Sequence, residues 1–464
     1  MSIEISFLGA ARTVTGSKYL ISDGKHKIMV DCGMFQGTKD LTEMNYQDFA
    51  FEPSEINYLI LTHAHIDHSG LVPRLVKKGF RGKILCTKPT MELCKIMFID
   101  AAHVESIELE WRNRKRVRAG KEPLDPVYTV SDAEECMKNF ETREYNKAFP
   151  VNGFKVRFVD AGHILGSAIV EISYTEKNKS KRVVFSGDVG NERQEILSDP
   201  TKLKDTDYLV VESTYGDRLH KSRQETVKEF AGIIKKTKNT GGNIIIPAFA
   251  IERTQEIIYE LRMLYDKKKL EGFTVYVDSP LAIAATEIFR ANTGFFDRTT
   301  KNRMKKGMEP FDFPSLIFAK RADDSKALNE VKSGAIIISA SGMCEAGRIK
   351  HHLKHNLWRK ECNIVFTGFQ ARGTLGDAII KGNKTVKIFG EEIAVNAKIY
   401  TLGGFSGHAD RKGLLNWVSN FKSKKPKVFV VHGEESSALK FGSFLRKKLK
   451  LKVKVPKLGE KAKI

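Results

Sequence analysis

The sequence has little cysteine and no long apolar run. Only six of its 464 residues are cysteine, and no two of them form a C-x-x-C pair. Scattered thiols in a chain of this length indicate neither a disulfide framework nor a zinc ribbon. No apolar stretch approaches the ~20 residues that a membrane-spanning helix needs. The first twenty residues also lack the basic start and apolar core of a secretory signal. We therefore expect a cytoplasmic enzyme or binding protein with reduced thiols.

Acidic residues are also in short supply. The chain has 56 Asp and Glu against 78 Lys and Arg, which gives a formal net charge of +22. Such an excess favours a polyanionic partner, and charge alone leaves RNA, DNA and an anionic membrane surface open. The 41% hydrophobic content is that of a soluble globular protein, and the length predicts two or three domains.

The length and spacing of the apolar runs change twice along the chain. Short strand-like runs that end in Gly, Asp or His occupy residues 1–212 and return in 406–464. Residues 213–405 instead alternate nearly continuous apolar strands with amphipathic helices, which predicts an α/β fold with a parallel sheet. We therefore expect one discontinuous domain, 1–212 with 406–464, that is interrupted by an inserted domain, 213–405.

A dense group of metal-ligand residues follows an apolar strand. The segment HAHIDHSG (63–70) comes directly after YLILT, so a strand end would deliver its side chains to the edge of a sheet. His63, His65, Asp67 and His68 carry the imidazole and carboxylate groups that zinc prefers. A chance cluster is the alternative, and we favour the metal site.

Three further residues stand in equivalent positions. His163, Asp188 and His432 each follow an apolar run and lie beside a glycine. Each alone has an ordinary explanation, a turn aspartate or a core histidine bonded to a carbonyl. Taken together with the first cluster they predict additional ligands, because one cluster cannot complete two zinc sites.

Seven motifs in order make the chain resemble the metallo-β-lactamase superfamily, specifically its β-CASP branch of nucleases. They are Asp31 in VDCG, HAHIDH (63–68), His163 in GHILGS, Asp188 in SGDVG, Glu212 in VVESTYGDR, His408 in GFSGHAD and His432 in VVHGEE. The resemblance implies an αββα sandwich into which a parallel-sheet β-CASP domain is inserted.

The resemblance also implies two zinc ions. One would be held by His63, His65 and His163, and the other by Asp67, His68 and His432. Asp188 would bridge them. Asp31 would accept a ring N–H from a ligand histidine and so fix its tautomer.

The implied chemistry is hydrolysis of a phosphodiester bond by a hydroxide held between the two ions, which leaves a 3′-hydroxyl and a 5′-phosphate. His408 is the candidate general acid for the leaving oxygen, with Glu212 either orienting it or holding a proton beside it. Asp67 would steer the attacking hydroxide as well as binding metal.

The substrate implied by the resemblance is RNA, because a histidine at the position of His432 is typical of RNA-directed members. Single-stranded RNA is the expected form. SASGMCEAGR (339–348) and TGFQARGTLG (367–376) match stretches of RNA-processing relatives, which makes Ser341, Arg348 and Arg372 candidate substrate contacts. Arg253 is a weaker candidate. Ordinary strand–helix loops explain the same segments, so the RNA contacts are one of two open interpretations.

Three other features of the sequence do not distinguish between the candidate functions. His351 and His355 have the spacing of paired zinc ligands but no intervening glutamate of the metalloprotease kind, so we expect an exposed or RNA-facing helix. The basic stretch RNRKRVRAGK (112–121) is either a solvated surface or an RNA track. For KKLKLKVKVPK (447–457) we predict an edge strand whose lysines block aggregation, and an RNA track is the open alternative.

The leading hypothesis is a zinc-dependent ribonuclease similar to the nuclease subunit of the pre-mRNA cleavage machinery, in a minimal prokaryotic form without KH domains. We favour endonucleolytic over 5′-to-3′ exonucleolytic cleavage. A small-molecule metallohydrolase and a catalytically silent RNA-binding subunit are the alternatives. The oligomeric state stays open, a dimer included.

Overall fold

The computed structural model describes residues 3–368 and 370–464. The chain divides into two compact units. The first comprises Met1–Arg193, Asp199–Leu219 and His408–Ile464, and the second comprises Gln194–Ser198 and His220–Gly407. The sequence predicts a domain of residues 1–212 with 406–464 and an inserted domain of residues 213–405. These limits refer to the domains of the family and not to compact units, and they stay a prediction.

The strands in chain order are β1 Glu4–Phe7, β2 Tyr19–Ser22, β3 Lys27–Val30, β4 Tyr58–Ile60, β5 Lys83–Cys86, β6 Phe140–Thr142, β7 Ala148–Val151, β8 Phe154–Asp160, β9 Ala168–Glu176, β10 Lys179–Phe185, β11 Tyr208–Val211, β12 Ile244–Pro247, β13 Thr274–Val277, β14 Leu316–Phe318, β15 Ala335–Ser339, β16 Asn363–Phe366, β17 Thr385–Ile388, β18 Glu391–Ala394, β19 Lys398–Thr401, β20 Lys427–Val430, β21 Lys452–Lys454 and β22 Lys461–Lys463.

The α-helices are α1 Lys39–Glu43, α2 Ile66–Ser69, α3 Val72–Lys77, α4 Lys88–Arg118, α5 Val130–Cys136, α6 Arg223–Thr240, α7 Arg253–Asp266, α8 Pro280–Ala291, α9 Arg298–Lys305, α10 Ala322–Leu328, α11 Ile349–Asn356, α12 Leu375–Ile380, α13 Arg411–Val418 and α14 Glu435–Leu449. Short 3₁₀ turns cover Met44–Tyr46, Pro53–Glu55, Met137–Asn139, Thr293–Phe295 and Gly403–Phe405. Among the helices of the described residues, none is both long enough and apolar enough to cross a membrane.

Two seven-stranded sheets form the first unit. Their strand orders are β22-β1-β2-β3-β4-β5-β6 and β21-β20-β11-β10-β9-β8-β7. Apolar side chains of both sheets make one core; for example, the rings of Phe7 and Phe429 lie 5.2 Å apart. On its other face the second sheet packs against α13 and α14 through residues such as Trp417 and Phe441. The sandwich expected from the resemblance is confirmed.

Strand direction determines where the loops of the first unit gather. β3 and β4 are parallel neighbours in the first sheet. In the second sheet β10, β11 and β20 are parallel neighbours, and β8 runs the same way because β9 is antiparallel to both β8 and β10. The carboxyl ends of parallel strands meet at one edge of their sheet, so the residues that follow these strands share that edge.

The second unit contains a six-stranded sheet of order β14-β13-β15-β12-β16-β19, in which all neighbouring strands are parallel. A hairpin, β17 with β18, accompanies it. The central strands are fully apolar, as in Ile336–Ile338, and they carry helices such as α11, whose Leu353 is completely buried. The inserted parallel α/β sheet predicted from the sequence is therefore confirmed.

One local prediction was half wrong. The stretch 447–457 does contain an edge strand, β21, but its first residues belong to α14, which continues to Leu449. The apolar residues Phe441 and Leu445 lie four apart and are buried, so helical spacing extends into the lysine-rich segment. Lys450 then ends the helix in the left-handed conformation, with φ of 54°.

Candidate metal centre

The seven predicted metal ligands all belong to the first unit, and each follows a strand end. His63 and His65 follow β4, and His65 is the residue before α2, whose first turn carries Asp67 and His68. The remaining ligands come from the second sheet: His163 follows β8, Asp188 follows β10 and His432 follows β20. The structure brings the seven side chains together in two groups, one of four residues and one of three.

The first group joins three histidines and one carboxylate. Donor atoms of His63, His65, His163 and Asp188 all lie within 4.8 Å of one another. His65 Nδ1 is 3.1 Å from His163 Nε2, and the Nε2 atoms of His63 and His163 are each 3.4 Å from the same oxygen of Asp188, Oδ2. Two ligands of a tetrahedral zinc ion at ~2.05 Å would be about 3.3 Å apart, so this spacing suits such an ion.

The second group joins Asp67, His68 and His432. His68 Nε2 lies 2.9 Å from His432 Nε2, and His432 Nε2 lies 3.3 Å from Asp67 Oδ2. The other oxygen of Asp188, Oδ1, is 3.3 Å from His68 Nε2. Asp188 thus presents one oxygen to each group, which is the arrangement a bridging ligand needs.

Two buried atoms of this centre make no hydrogen bond in the described part of the chain. They are His63 Nε2 and Asp188 Oδ1, which belong to side chains that are 0% and 1% exposed. An unsatisfied polar atom in a protein interior costs about 1–3 kcal/mol, so it persists where something else satisfies it. A bound cation would satisfy both atoms, and the donor set of imidazoles and carboxylates fits zinc.

The charge states of the histidines differ between the two groups. Burial, together with nearby His68, holds the pKa of His63 well below its usual range, and burial lowers the pKa of His65 to about 4. Both are therefore neutral at pH 7 and ready to donate a lone pair. Burial also opposes a charge on His68, but the carboxylates of Asp188 and Asp31 hold its pKa well above the usual range.

Asp31 organises the centre from behind the ligands. It follows β3, and His68 Nδ1 donates to its Oδ2 at 2.7 Å. The backbone N–H and the hydroxyl of Thr62 donate to its two oxygens at 2.8 and 2.9 Å. Because Nδ1 of His68 is committed to Asp31, Nε2 is the ring atom that faces His432 and the centre.

Glu212 and His408 form a third group with Asp188. His408 Nδ1 lies 3.2 Å from both carboxylate oxygens of Glu212 and 3.8 Å from Asp188 Oδ2. Glu212 follows β11, is completely buried and accepts the backbone N–H of Val189 at 2.7 Å. Burial opposes a charge on His408, but Glu212 and Asp188 raise its pKa to about 9. His408 is therefore cationic at neutral pH and rigidly oriented.

The predicted substrate contacts lie in the second unit, and three of them are engaged there. The Ser341 hydroxyl accepts the backbone N–H groups of Glu345 and Ala346. Arg348 donates to Asp278 at 2.6 Å. Arg253 is only 6% exposed and donates to Glu256.

The fourth, Arg372, is exposed and is the one best placed to meet a ligand from solvent. Within the same segment, 367–376, Phe369 lies outside the described residues.

The other sequence features have simple positions. His351 and His355 lie on α11, exposed and half-buried respectively. The basic stretch 112–121 covers the last turns of α4 and the turn that follows it. Neither position decides between a solvated surface and an RNA contact.

Sequence reasoning missed two threonines and one buried cluster. The Thr62 hydroxyl lies 3.0 Å from His63 Nδ1, and the Thr214 hydroxyl lies 3.0 Å from His432 Nδ1. Thr62 directly precedes the HAHIDH motif and Thr214 lies inside VVESTYGDR, and this proximity was the available signal. The buried cluster, in which Ser325, Arg348 and His352 donate to Asp278, had no sequence signal beyond a strand end.

Comparisons with known proteins match three family models along the chain. The metallo-beta-lactamase superfamily matches residues 12–232, the Beta-Casp domain matches 254–379, and the Zn-dependent metallo-hydrolase RNA specificity domain matches 392–456. Among solved structures, a protein of unknown function from Enterococcus faecalis covers 100% of both chains with a TM-score of 0.55 and 12% identity, which shows a shared fold alone.

Named relatives are similar over almost the whole chain. Ribonuclease TTHA0252 of Thermus thermophilus is 36% identical, and the match covers 94% of each chain. An RNase J-like protein of Methanocaldococcus jannaschii is 30% identical over 98% of this chain and 99% of its own. The transcription termination factor FttA of the same organism is 29% identical over 98% of this chain and 70% of its own. The chain therefore belongs to the β-CASP family of metal-dependent hydrolases within the metallo-β-lactamase superfamily.

Proposed function

We propose that this protein is a zinc-dependent ribonuclease that hydrolyses phosphodiester bonds and leaves 3′-hydroxyl and 5′-phosphate ends. The observation that carries the proposal is the convergence of seven ligand side chains with the Glu212–His408 pair in one unit. The named ribonuclease relative and the RNA specificity domain supply the substrate class. The net charge of +22 agrees with a polyanionic substrate.

His63, His65 and His163 would hold one zinc ion, and Asp67, His68 and His432 the other, with Asp188 shared. When bound, zinc lowers the pKa of water toward ~7 and stabilises negative charge on a phosphoryl group. The protein supplies fixed ligand positions. Asp31 keeps the His68 ring in one tautomer, and neutral His63 and His65 need not lose a proton before they bind metal.

His408 would donate the proton that the leaving 3′-oxygen needs. Its ring is held at Nδ1 by Glu212, so the opposite nitrogen, Nε2, is the atom from which the proton passes. Because its pKa is raised to about 9, the ring is protonated at neutral pH and can act as an acid. Asp67 would orient the attacking water as well as binding metal.

We further propose that the substrate is single-stranded RNA and that Arg372 contacts it. In this proposal Ser341 and Arg348 fix the shape of the neighbouring loop. The buried Arg253 stabilises the start of α7. Endonucleolytic cleavage is favoured over 5′-to-3′ exonucleolytic cleavage. The six cysteines are free and buried, as in proteins of a reducing compartment, which supports a cytoplasmic location.

The test is incubation of the zinc-loaded full chain with RNA labelled at its 5′ end and with DNA of the same sequence. Labelled RNA fragments of intermediate length that end in a 3′-hydroxyl are expected, together with unlabelled downstream fragments whose 5′-phosphate a ligase accepts. Release of labelled mononucleotide alone would instead indicate an exonuclease. If neither RNA nor DNA is cleaved, the ribonuclease proposal is wrong, and hydrolysis of lactam or thioester substrates then tests the small-molecule alternative.

The matched variants are His408→Ala and Asp188→Ala. We expect the first to keep its zinc and lose most cleavage, and the second to lose zinc. Loss of zinc from the His408 variant would make His408 a ligand and not the acid.

A further inference from the structure

A broad groove runs along two helices of the second unit. Its volume is about 930 Å³, and it is lined by one face of α6, by Glu260, Met263 and Leu264 of α7, and by Lys267, Lys268 and Lys269, which follow α7 directly. The α6 residues recur at helical spacing: Gln224, Val227, Lys228, Ala231, Gly232, Lys235, Lys238 and Asn239. Between the first and the last of these positions the helix rises about 22 Å. The groove is therefore long and open along its length.

The walls of the groove carry a strong excess of positive charge. Its lysines are Lys228, Lys235, Lys238, Lys267, Lys268 and Lys269. Its two carboxylates are already paired, Glu260 with Arg223 and Glu195 with Arg303. Within the described part of the chain, no ion pair neutralises any of the six lysines. Lysines three apart on a helix, such as Lys235 and Lys238, repel each other, so the protein keeps these charges at a cost in stability.

The floor of the groove is different in character. Val227, Ala231 and Met263 are half-buried and offer apolar surface between the lysines. Gly232 stands in the interior of α6, where glycine costs about 1 kcal/mol relative to alanine. A Cβ atom added there would meet nothing within 4 Å, so packing does not require the glycine. Its effect is to leave the helix backbone open to close approach from the groove.

We propose that this groove binds the sugar–phosphate backbone of single-stranded RNA. Lysines are point charges without the fixed fork of arginine, so they suit phosphates in any sequence. The apolar floor accepts ribose and base surfaces. Among the described residues that line the groove none is aromatic, so base stacking contributes little and phosphate contacts carry the affinity. This proposal rests on the proposed ribonuclease function only because that function identifies the polyanion as RNA. Among the described residues that line the groove, none belongs to the metal centre.

The first experiment measures binding of a fluorescein-labelled oligouridylate to the full chain by anisotropy, with zinc and again with a chelator, over a series of salt concentrations. The test variant is the double substitution Lys228→Gln and Lys235→Gln. The control is Lys236→Gln with Lys332→Gln, which removes two exposed lysines of the same unit that lie outside the groove. We expect the groove variant to bind about tenfold more weakly and its salt slope to fall by about 1.4, since each phosphate contact adds ~0.7. The control should match the wild type.

A second variant tests the groove without removing any charged side chain. Gly232→Gln fills the groove with a good helix former, so we expect unchanged or raised thermal stability and several-fold weaker RNA binding.

Acetylation of the wild-type protein, read by mass spectrometry, should show the oligouridylate protecting Lys228 and Lys235 while Lys236 on the same helix stays reactive.

Equal affinities and slopes for the groove and control variants would overturn the proposal, as would equal acetylation of the three lysines. Binding of polyglutamate without binding of oligouridylate would assign the groove to an acidic protein and would also overturn it. If the groove does not bind RNA, the zinc-loaded protein should still cleave RNA. Failure of the ribonuclease proposal appears instead as absent cleavage, whatever the groove variants bind.

Discussion

His68 and His432 are 364 residues apart in sequence, and their Nε2 atoms lie 2.9 Å apart. Asp31 accepts the N–H of His68 Nδ1 at 2.7 Å, and Thr214 lies 3.0 Å from Nδ1 of His432. The outer atom of each ring is thus occupied by the protein, and both inner atoms point to one place. This arrangement is what a metal-binding pair requires, because outer hydrogen bonds fix the orientation and tautomer of the rings.

The first prediction concerns Asp31. Replacement by alanine removes the acceptor that holds His68 and Thr62, so zinc should bind about 10- to 100-fold more weakly. Competition with a chromophoric chelator measures this affinity. Asp48→Ala is the control, because Asp48 is 85% exposed and pairs with Lys78 at the surface. Unchanged zinc affinity in the Asp31 variant would show that the ligands hold their positions without it.

The second prediction separates proton donation from metal binding. His408→Ala and Glu212→Gln should each lower the rate of RNA cleavage by about 10²–10⁴, the range of general acid–base catalysis, with zinc content unchanged. Single-turnover cleavage gives the rate, and elemental analysis gives the zinc. His351→Ala, which changes an exposed histidine, should cleave like the wild type. A wild-type rate in the His408 variant would remove it from the mechanism.

The third prediction concerns a buried charge cluster in the second unit. Asp278 is 0% exposed and accepts hydrogen bonds of 2.6 Å from Ser325, Arg348 and His352. Burial opposes its ionisation, yet these three donors lower its pKa. Asp278→Asn should lower the free energy of unfolding by about 3–5 kcal/mol, the cost of breaking a buried pair.

Urea denaturation checks this value. The control is Asp323→Asn, since Asp323 is 90% exposed and its pairing with Lys326 should contribute less than about 1 kcal/mol. Equal loss in both variants would mean that the buried cluster adds nothing.

The fourth prediction is a pH dependence of stability. Burial raises the pKa of Asp160 to about 7, against about 3.9 in an unfolded chain. The folded state therefore favours the protonated carboxyl. The stability from this group is present below pH ~4 and is lost as the pH rises through about 7. Asp160→Asn keeps an acceptor for the backbone N–H of Gly162 and has no charge to bury. We expect its melting temperature to match the wild type near pH 4 and to exceed it above pH 7. A constant difference at every pH would contradict this.

Much of the fold and the convergence of the metal centre could be predicted from the sequence for one physical reason. Polar residues that follow parallel apolar strands reach the carboxyl-end edge of their sheet: His63 in the first sheet, and His163, Asp188 and His432 in the second. Asp278 also follows a strand, β13, but nothing in the sequence reveals that His352 and Arg348 meet it. Periodicity reports secondary structure and does not report which buried groups pair across the chain.

Two further features were out of reach for related reasons. The segment Gln194–Ser198 belongs to the second unit although it precedes the change of rhythm in the sequence. The basic groove takes three of its six lysines from α6 and three from the residues that follow α7, and in sequence both sets look like ordinary solvated surface. Only packing of α6 beside α7 turns them into one surface.

The central claim is that these seven side chains hold two zinc ions that RNA cleavage requires. The most direct test titrates the metal-free full chain with zinc and follows cleavage of end-labelled RNA. We expect no cleavage without metal, a rise with added zinc, and a plateau at two equivalents per chain. Full cleavage by the metal-free chain, or a plateau at one equivalent, would contradict the claim.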